Sequence, residues 1–91
     1  MNKNDVVSLK LTTGEEVIGR FDSENDSIII LNKPLSFVMA EQGLSLGPFM
    51  ISANKDDKIT ISKLTVIAII KTNELIAKQY LILKQSTGLV L

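Results

Sequence analysis

The chain predicts a mostly β fold, a small and strongly bent open barrel of five strands followed by one C-terminal helix. Three observations lead there. Apolar and polar residues alternate from the start, with Val7, Leu9 and Leu11 on one face and Ser8, Lys10 and Thr12 on the other, which is the period of a half-buried strand. Glycines stand where such a sheet must turn or bend, at Gly14 between the first two runs and at Gly19 inside the second. The chain is 45% hydrophobic but only 4% aromatic, so its apolar mass is Ile, Leu and Val, the residues that fill sheets.

The elements follow in order. A first strand covers about residues 6–12. Gly14 turns the chain into a second strand over 15–23, in which Gly19 permits a sharp bend or a close backbone approach, as at the corner of a small barrel. A long third strand covers 26–40; its run Ile28-Ile29-Ile30-Leu31 reads as buried on both faces, and Pro34 after Lys33 forces a bend or marks an edge. That strand thereby serves both halves of a barrel. Gly43 opens a fourth strand over 43–53, interrupted at Gly47-Pro48, and the polar stretch Asn54-Lys55-Asp56-Asp57 is a solvent loop. A fifth strand over 58–70 is broken near Ser62 to Thr65. Thr72-Asn73 then supply N-cap residues and Glu74 an anion in the first turn for a helix over 73–84. Its apolar stripe is Leu75, Ile76, Tyr80, Ile82 and Leu83 with Gln79. The stripe either covers an open end of the barrel or docks on a neighbouring subunit, although Tyr80-Leu81-Ile82-Leu83 is also compatible with a strand.

Ninety-one residues make one domain, in which only roughly 60–65% of the unfolded surface is buried on folding, so help from neighbouring subunits is expected. No cysteine and no histidine are present, which removes disulfides, thiolate metal sites and the commonest general base. The start lacks an apolar leader and no run is long enough to span a bilayer, so a soluble cytoplasmic protein is expected. Ten basic and ten acidic residues cancel, which argues against sequence-independent grip on duplex DNA. Their distribution is uneven: residues 1–32 hold three basic against six acidic residues, a balance of −3, whereas from residue 58 onward Lys58, Lys63, Lys71, Lys78 and Lys84 face only Glu74, a balance of +4. A neutral subunit could therefore present a basic face once copies share one orientation.

Leu11, Gly14, Val17 and Gly19 stand where the first motif of Sm and Sm-like (LSm) proteins has its leucine, turn glycine, apolar strand residue and strand glycine. Ile61, Ser62, Lys63 and the run Val66 to Ile70 occupy the slot of the second motif, with Ser62 and Lys63 where the family usually has an arginine and a glycine. Over about residues 6–70 the chain resembles this family, which includes the Hfq-like proteins and small Sm-like proteins attributed to marine phages. The resemblance implies an SH3-like barrel, a homo-oligomeric ring, and a pore where the loops after the second and fourth strands grip single-stranded RNA. It places Asp22 and Asn25 in the first of those loops and Ser62 and Lys63 in the second. Lys63 would neutralise a phosphate and Asn25 would bond a base edge. Two departures stand out: no residue near Ser23, Glu24 and Asp26 offers a stacking surface, and the helix is C-terminal where the family commonly has it at the N-terminus.

Other constellations carry less. Ser52-Ala53-Asn54-Lys55 fits a Ser-x-x-Lys spacing, but that chemistry needs a helix start in a much larger domain. Asp22 to Ser27 has the oxygen-rich look of a calcium loop without its glycine and its terminal glutamate, and reads as a turn. No catalytic pair, metal site or cofactor is expected. Strand edges rich in Ile and Val invite pairing between copies, and head-to-tail pairing that closes gives a ring, here a pentamer to heptamer with the pentamer favoured. The expected function is a ring subunit that binds single-stranded RNA or DNA and assists its processing without catalysis. The alternative is a structural or adaptor module that binds protein partners through its edges and helix.

Overall fold

The computed structural model describes residues 1–54 and 56–85. The chain forms β1 (Val6–Leu11), β2 (Glu16–Glu24), β3 (Ile28–Ala40), β4 (Gly43–Pro48), β5 (Lys58–Ser62), a 3-10 turn over Lys63–Thr65, β6 (Val66–Lys71) and helix α1 (Glu74–Gln85). All strands belong to one antiparallel sheet of order β4-β3-β2-β1-β6, with β5 also paired to β3. Six strands replace the expected five because the last run is divided by the 3-10 turn. The expected strand over 43–53 ends early, at Pro48, where the ladder would need a donor that proline lacks. Among the described residues the sheet is open: β6 pairs only with β1, and β4 and β5 pair end to end along the outer side of β3. No described helix is long and apolar enough to cross a membrane.

Alternation places the core. Val7, Leu9 and Leu11 from β1, Val17 and Phe21 from β2, Ile29 and Leu31 from β3 and Ile61 from β5 form one buried cluster on the concave face. The opposite face is covered by the chain's own helix, where Tyr80 packs with Ile18 and Leu35, flanked by Val6, Phe37, Leu46, Ile76 and Leu81. Ser8, expected on a wet face, is consequently buried beneath this layer and its hydroxyl meets that of Thr72 at 2.7 Å. Asn73 caps the helix by accepting from the Ile76 N–H at 3.0 Å. Of the anticipated apolar stripe, Ile76 and Tyr80 face the sheet, whereas Leu75 and Ile82 point to solvent.

The bend in β3 organises these two layers. Ile18 pairs with Leu35 and Arg20 with Asn32, so Gly19 alone stands opposite the two residues Lys33 and Pro34. Lys33 takes a left-handed conformation with φ 49°, and the strand turns there. A Cβ on Gly19 would lie 3.2 Å from Leu31 Cδ1 and 3.3 Å from the Asn32 carbonyl oxygen, which explains the missing side chain. The carbonyls exposed by the bend are then met from α1: the Tyr80 hydroxyl donates to Lys33 O at 2.8 Å and shares Asn32 O at 3.2 Å.

Tyr80→Phe is expected to destabilise the fold by about 1–3 kcal/mol, the cost of leaving buried acceptors unmet, as read by chemical denaturation. Burial pushes the Tyr80 phenol up to about 12, against a smaller opposing pull from Arg20. Because the raised value favours the neutral phenol in the fold, the stability it contributes is whole below pH 10 and drains away between pH 10 and 12. Tyr80 is the sole tyrosine, so tyrosinate absorbance in native and denatured protein measures both values directly. Gly19→Ala should cost about 1–3 kcal/mol through crowding of β3.

Candidate nucleic-acid interface

The two loops singled out in the sequence meet at one corner of the sheet. Ile28 pairs with Ser62 at the ends of β3 and β5, and the Lys63 N–H donates to the Ser27 carbonyl at 2.8 Å. The β2–β3 turn and the 3-10 turn are therefore joined through the backbone. Each turn is built by its own side chains. Asn25 Oδ1 accepts from the N–H groups of Ser27 at 2.8 Å and Ile28 at 2.9 Å, the arrangement that makes Asn a turn residue. Ser62 Oγ accepts from the Leu64 N–H at 3.3 Å, and Thr65 Oγ1 donates to the Ser62 carbonyl at 2.7 Å.

Asp22 and Asn25, expected together in one loop, are separated. Asp22 lies within β2 at a second bulge: Phe21 pairs with Leu31 and Ser23 with Ile30, which leaves Asp22 unpaired in the ladder. Bulges re-aim the extra side chain, and this one faces the Lys58 ammonium at 3.1 Å and that of Lys3 at 3.7 Å. Asn25 remains in the turn, while Ser62 closes β5 and Lys63 opens the 3-10 turn. Thus Asn25, Ser62 and Lys63 form the corner and Asp22 sits to its side.

Charge at this corner is locally balanced. Lys63 Nζ lies 2.6 Å from Glu24 Oε1. The bond from Lys63 holds the Glu24 carboxyl below its ordinary value, and the Ser23 hydroxyl followed by Lys58 does the same for Asp22. Asp5, whose carbonyl accepts from the Phe21 N–H of β2 at 2.7 Å, is likewise lowered, first by the Asn2 backbone N–H and then by Lys71. Sequence reasoning named neither Glu24 nor Lys58 as part of the site. The only hint was the pair of acidic residues at alternate positions 22 and 24, and the partners come from a strand far along the chain. Lys55 of the Ser-x-x-Lys spacing lies outside the described residues.

The amide of Asn25 has its oxygen turned to the backbone, which leaves its nitrogen as the group able to meet a ligand acceptor. Lys63 meets an anion in competition with Glu24, which already takes one of its three N–H donors. Leu64, fully at the surface with 91% of its area exposed, is the apolar residue of the corner. It can lie against a base or a partner side chain.

The lowered carboxyls fix the direction of the acid response. Their stabilising effect is present above the ordinary values of 3.8 for Asp5 and Asp22 and 4.5 for Glu24 and is lost as pH falls through the lower folded values. Thermal melts are expected to hold steady from neutrality to about pH 5 and to fall below it, and Asp22→Asn should flatten part of that acid limb.

Neither a protein-family model nor a curated protein matches this chain.

Proposed function

We propose that the protein is a subunit of a homo-oligomeric, Sm-like ring that takes single-stranded RNA or DNA at the Asn25–Lys63 corner and assists its processing without catalysis, in the cytoplasm. One observation carries the reading. The turn over Lys63–Thr65 conducts the chain from β5, on one edge of the sheet, to β6, on the other. Edge-to-edge pairing of β4 with the β6 of a neighbour would therefore repeat the corner once per subunit about a common axis. A pentamer is the favoured size, within a range up to the heptamer.

The edges support such pairing. β6 is an outer strand with Ile67, Ile69 and Ile70 exposed by 64%, 38% and 58%, and no proline blocks it. A shallow cleft of about 180 Å³ runs beside it, lined by Leu9, Ala68, Ile69 and Ile70 and flanked by Lys10 and Glu16. At the other edge Val38, Met39 and Leu44 are exposed around β4. Open edges that carry this much apolar surface are ready for strand addition. The barrel and ring resemblance rests on the first-motif residues: Gly14 has φ 94° at the β1–β2 turn, and Gly19 gives β3 its close approach.

A second reading, the adaptor that binds a protein partner, is favoured by the balanced charge at the corner and by the solvent-facing Leu75 and Ile82 of α1. Two measurements separate them. Light scattering during size-exclusion chromatography should give a closed oligomer, dispersed to monomer by Ile70→Lys; a compact monomer at micromolar concentration overturns the ring. Fluorescence anisotropy with labelled single-stranded oligonucleotides should show saturable binding that weakens with salt and is abolished by Lys63→Glu. A protein-binding module ignores both.

A further inference from the structure

Lys63 is the cation that the corner would offer to a strand, and in the free subunit it is already occupied. Its ammonium is 2.6 Å from Glu24 Oε1, with the two side chains 35% and 43% exposed. The partnership is fixed by backbone: Glu24 pairs with Ile29 on β3, Ile28 pairs with Ser62 on β5, and Lys63 N–H donates to Ser27 O. Asp22, two residues back on the same strand, holds Lys58 in the same way at 3.1 Å. Both lysines brought here by β5 and its following turn are thus answered by carboxylates at the end of β2. A carboxylate oxygen at this distance makes the charge-assisted hydrogen bond that a phosphate oxygen would make.

We propose that Glu24 acts as a built-in competitor for nucleic-acid phosphate at Lys63, a positioning residue that a bound strand must displace and that lowers affinity. The inference rests on the single-strand reading above. Its consequence is that phosphate density alone is a poor ligand, and a strand is retained when its bases also engage the turn residues. Duplexes, whose Watson–Crick edges are paired and turned inward, are selected against.

When a strand phosphate takes Lys63, the nucleic acid releases condensed cation, about 0.7 in the slope of log affinity against log salt for each subunit engaged, with or without Glu24. The carboxylate acts on affinity instead. Removing it spares the loss of an exposed ion pair, a gain of about 1.5- to 5-fold per contact, compounded when several subunits of a ring hold one strand.

The test is anisotropy of the full chain with labelled single-stranded oligo-U and oligo-A RNA across a salt series, for wild type, Glu24→Gln, Lys63→Gln and the double variant. Glu24→Ala serves as a second removal of the carboxylate, and thermal melts check folding of each. Glu24→Gln is expected to bind about 1.5- to 5-fold tighter at low salt for each contact engaged and to change nothing when made in the Lys63→Gln background. If the wild type binds and neither Glu24 variant changes affinity, the competitor role is overturned while the single-strand reading stands. A Glu24→Gln change that tightens binding by the same factor in the Lys63→Gln background as in the wild type also overturns it, since the gain would then come from removing a negative charge and not from freeing Lys63. If neither the wild type nor a Glu24 variant binds, both readings fall. Binding by the Glu24 variants where the wild type shows none supports both.

Discussion

The fold depends on how one strand, β3, is bent at Lys33 and Pro34. Before the bend β3 lies between β2 and β5 and sends Ile29 and Leu31 into the concave core; after it, β3 lies between β2 and β4 and sends Leu35 to the opposite face under α1. Three residues from three elements make that bend tenable. Gly19 yields the space, Lys33 adopts the left-handed backbone, and the Tyr80 hydroxyl satisfies the carbonyls that the bend exposes. A bend without these would leave buried polar groups unmet and a side chain in collision. The helix is therefore fastened to the sheet by a polar contact at the centre of an apolar one.

The same logic of register shapes the corner. One bulge opposite Gly19 turns β3, and a second at Asp22 turns a carboxylate toward Lys58 and Lys3. Beyond it Glu24 reaches Lys63, so acidic residues of the first third and basic residues of the last third neutralise each other in space. The charge asymmetry along the chain is real, yet folding cancels much of it locally. What remains at the corner is a set of turn amides and hydroxyls, one apolar side chain at Leu64, and lysines held in reserve.

Hydrophobic surface is distributed in a complementary way. The concave face and the helix-covered face are filled from within the chain, while the apolar residues left over concentrate on the outer strands and at the β3–β4 tip. A domain of this size buries a limited share of its surface alone, and its open sheet offers unpaired backbone at both sides. The proposed pairing of copies would cover both at once.

Local pattern made much of the fold legible. Period-two alternation placed Val7, Leu9 and Leu11 in the core, the glycine at 14 marked the first turn, and the cap at Asn73 marked the helix, because each is a property of a few neighbouring residues. The chain by itself thus determined strand order along the sequence, the main apolar face and the approximate bounds of α1. It could not show that Ser8 would be buried, that Leu75 and Ile82 would face water, or that Lys63 would meet Glu24. Those outcomes turn on which face the helix covers and on single-residue bulges that shift register between distant strands. Only the tertiary structure decided them, because one extra residue in a ladder re-aims every side chain beyond it, and no local pattern records where its partner strand will slip.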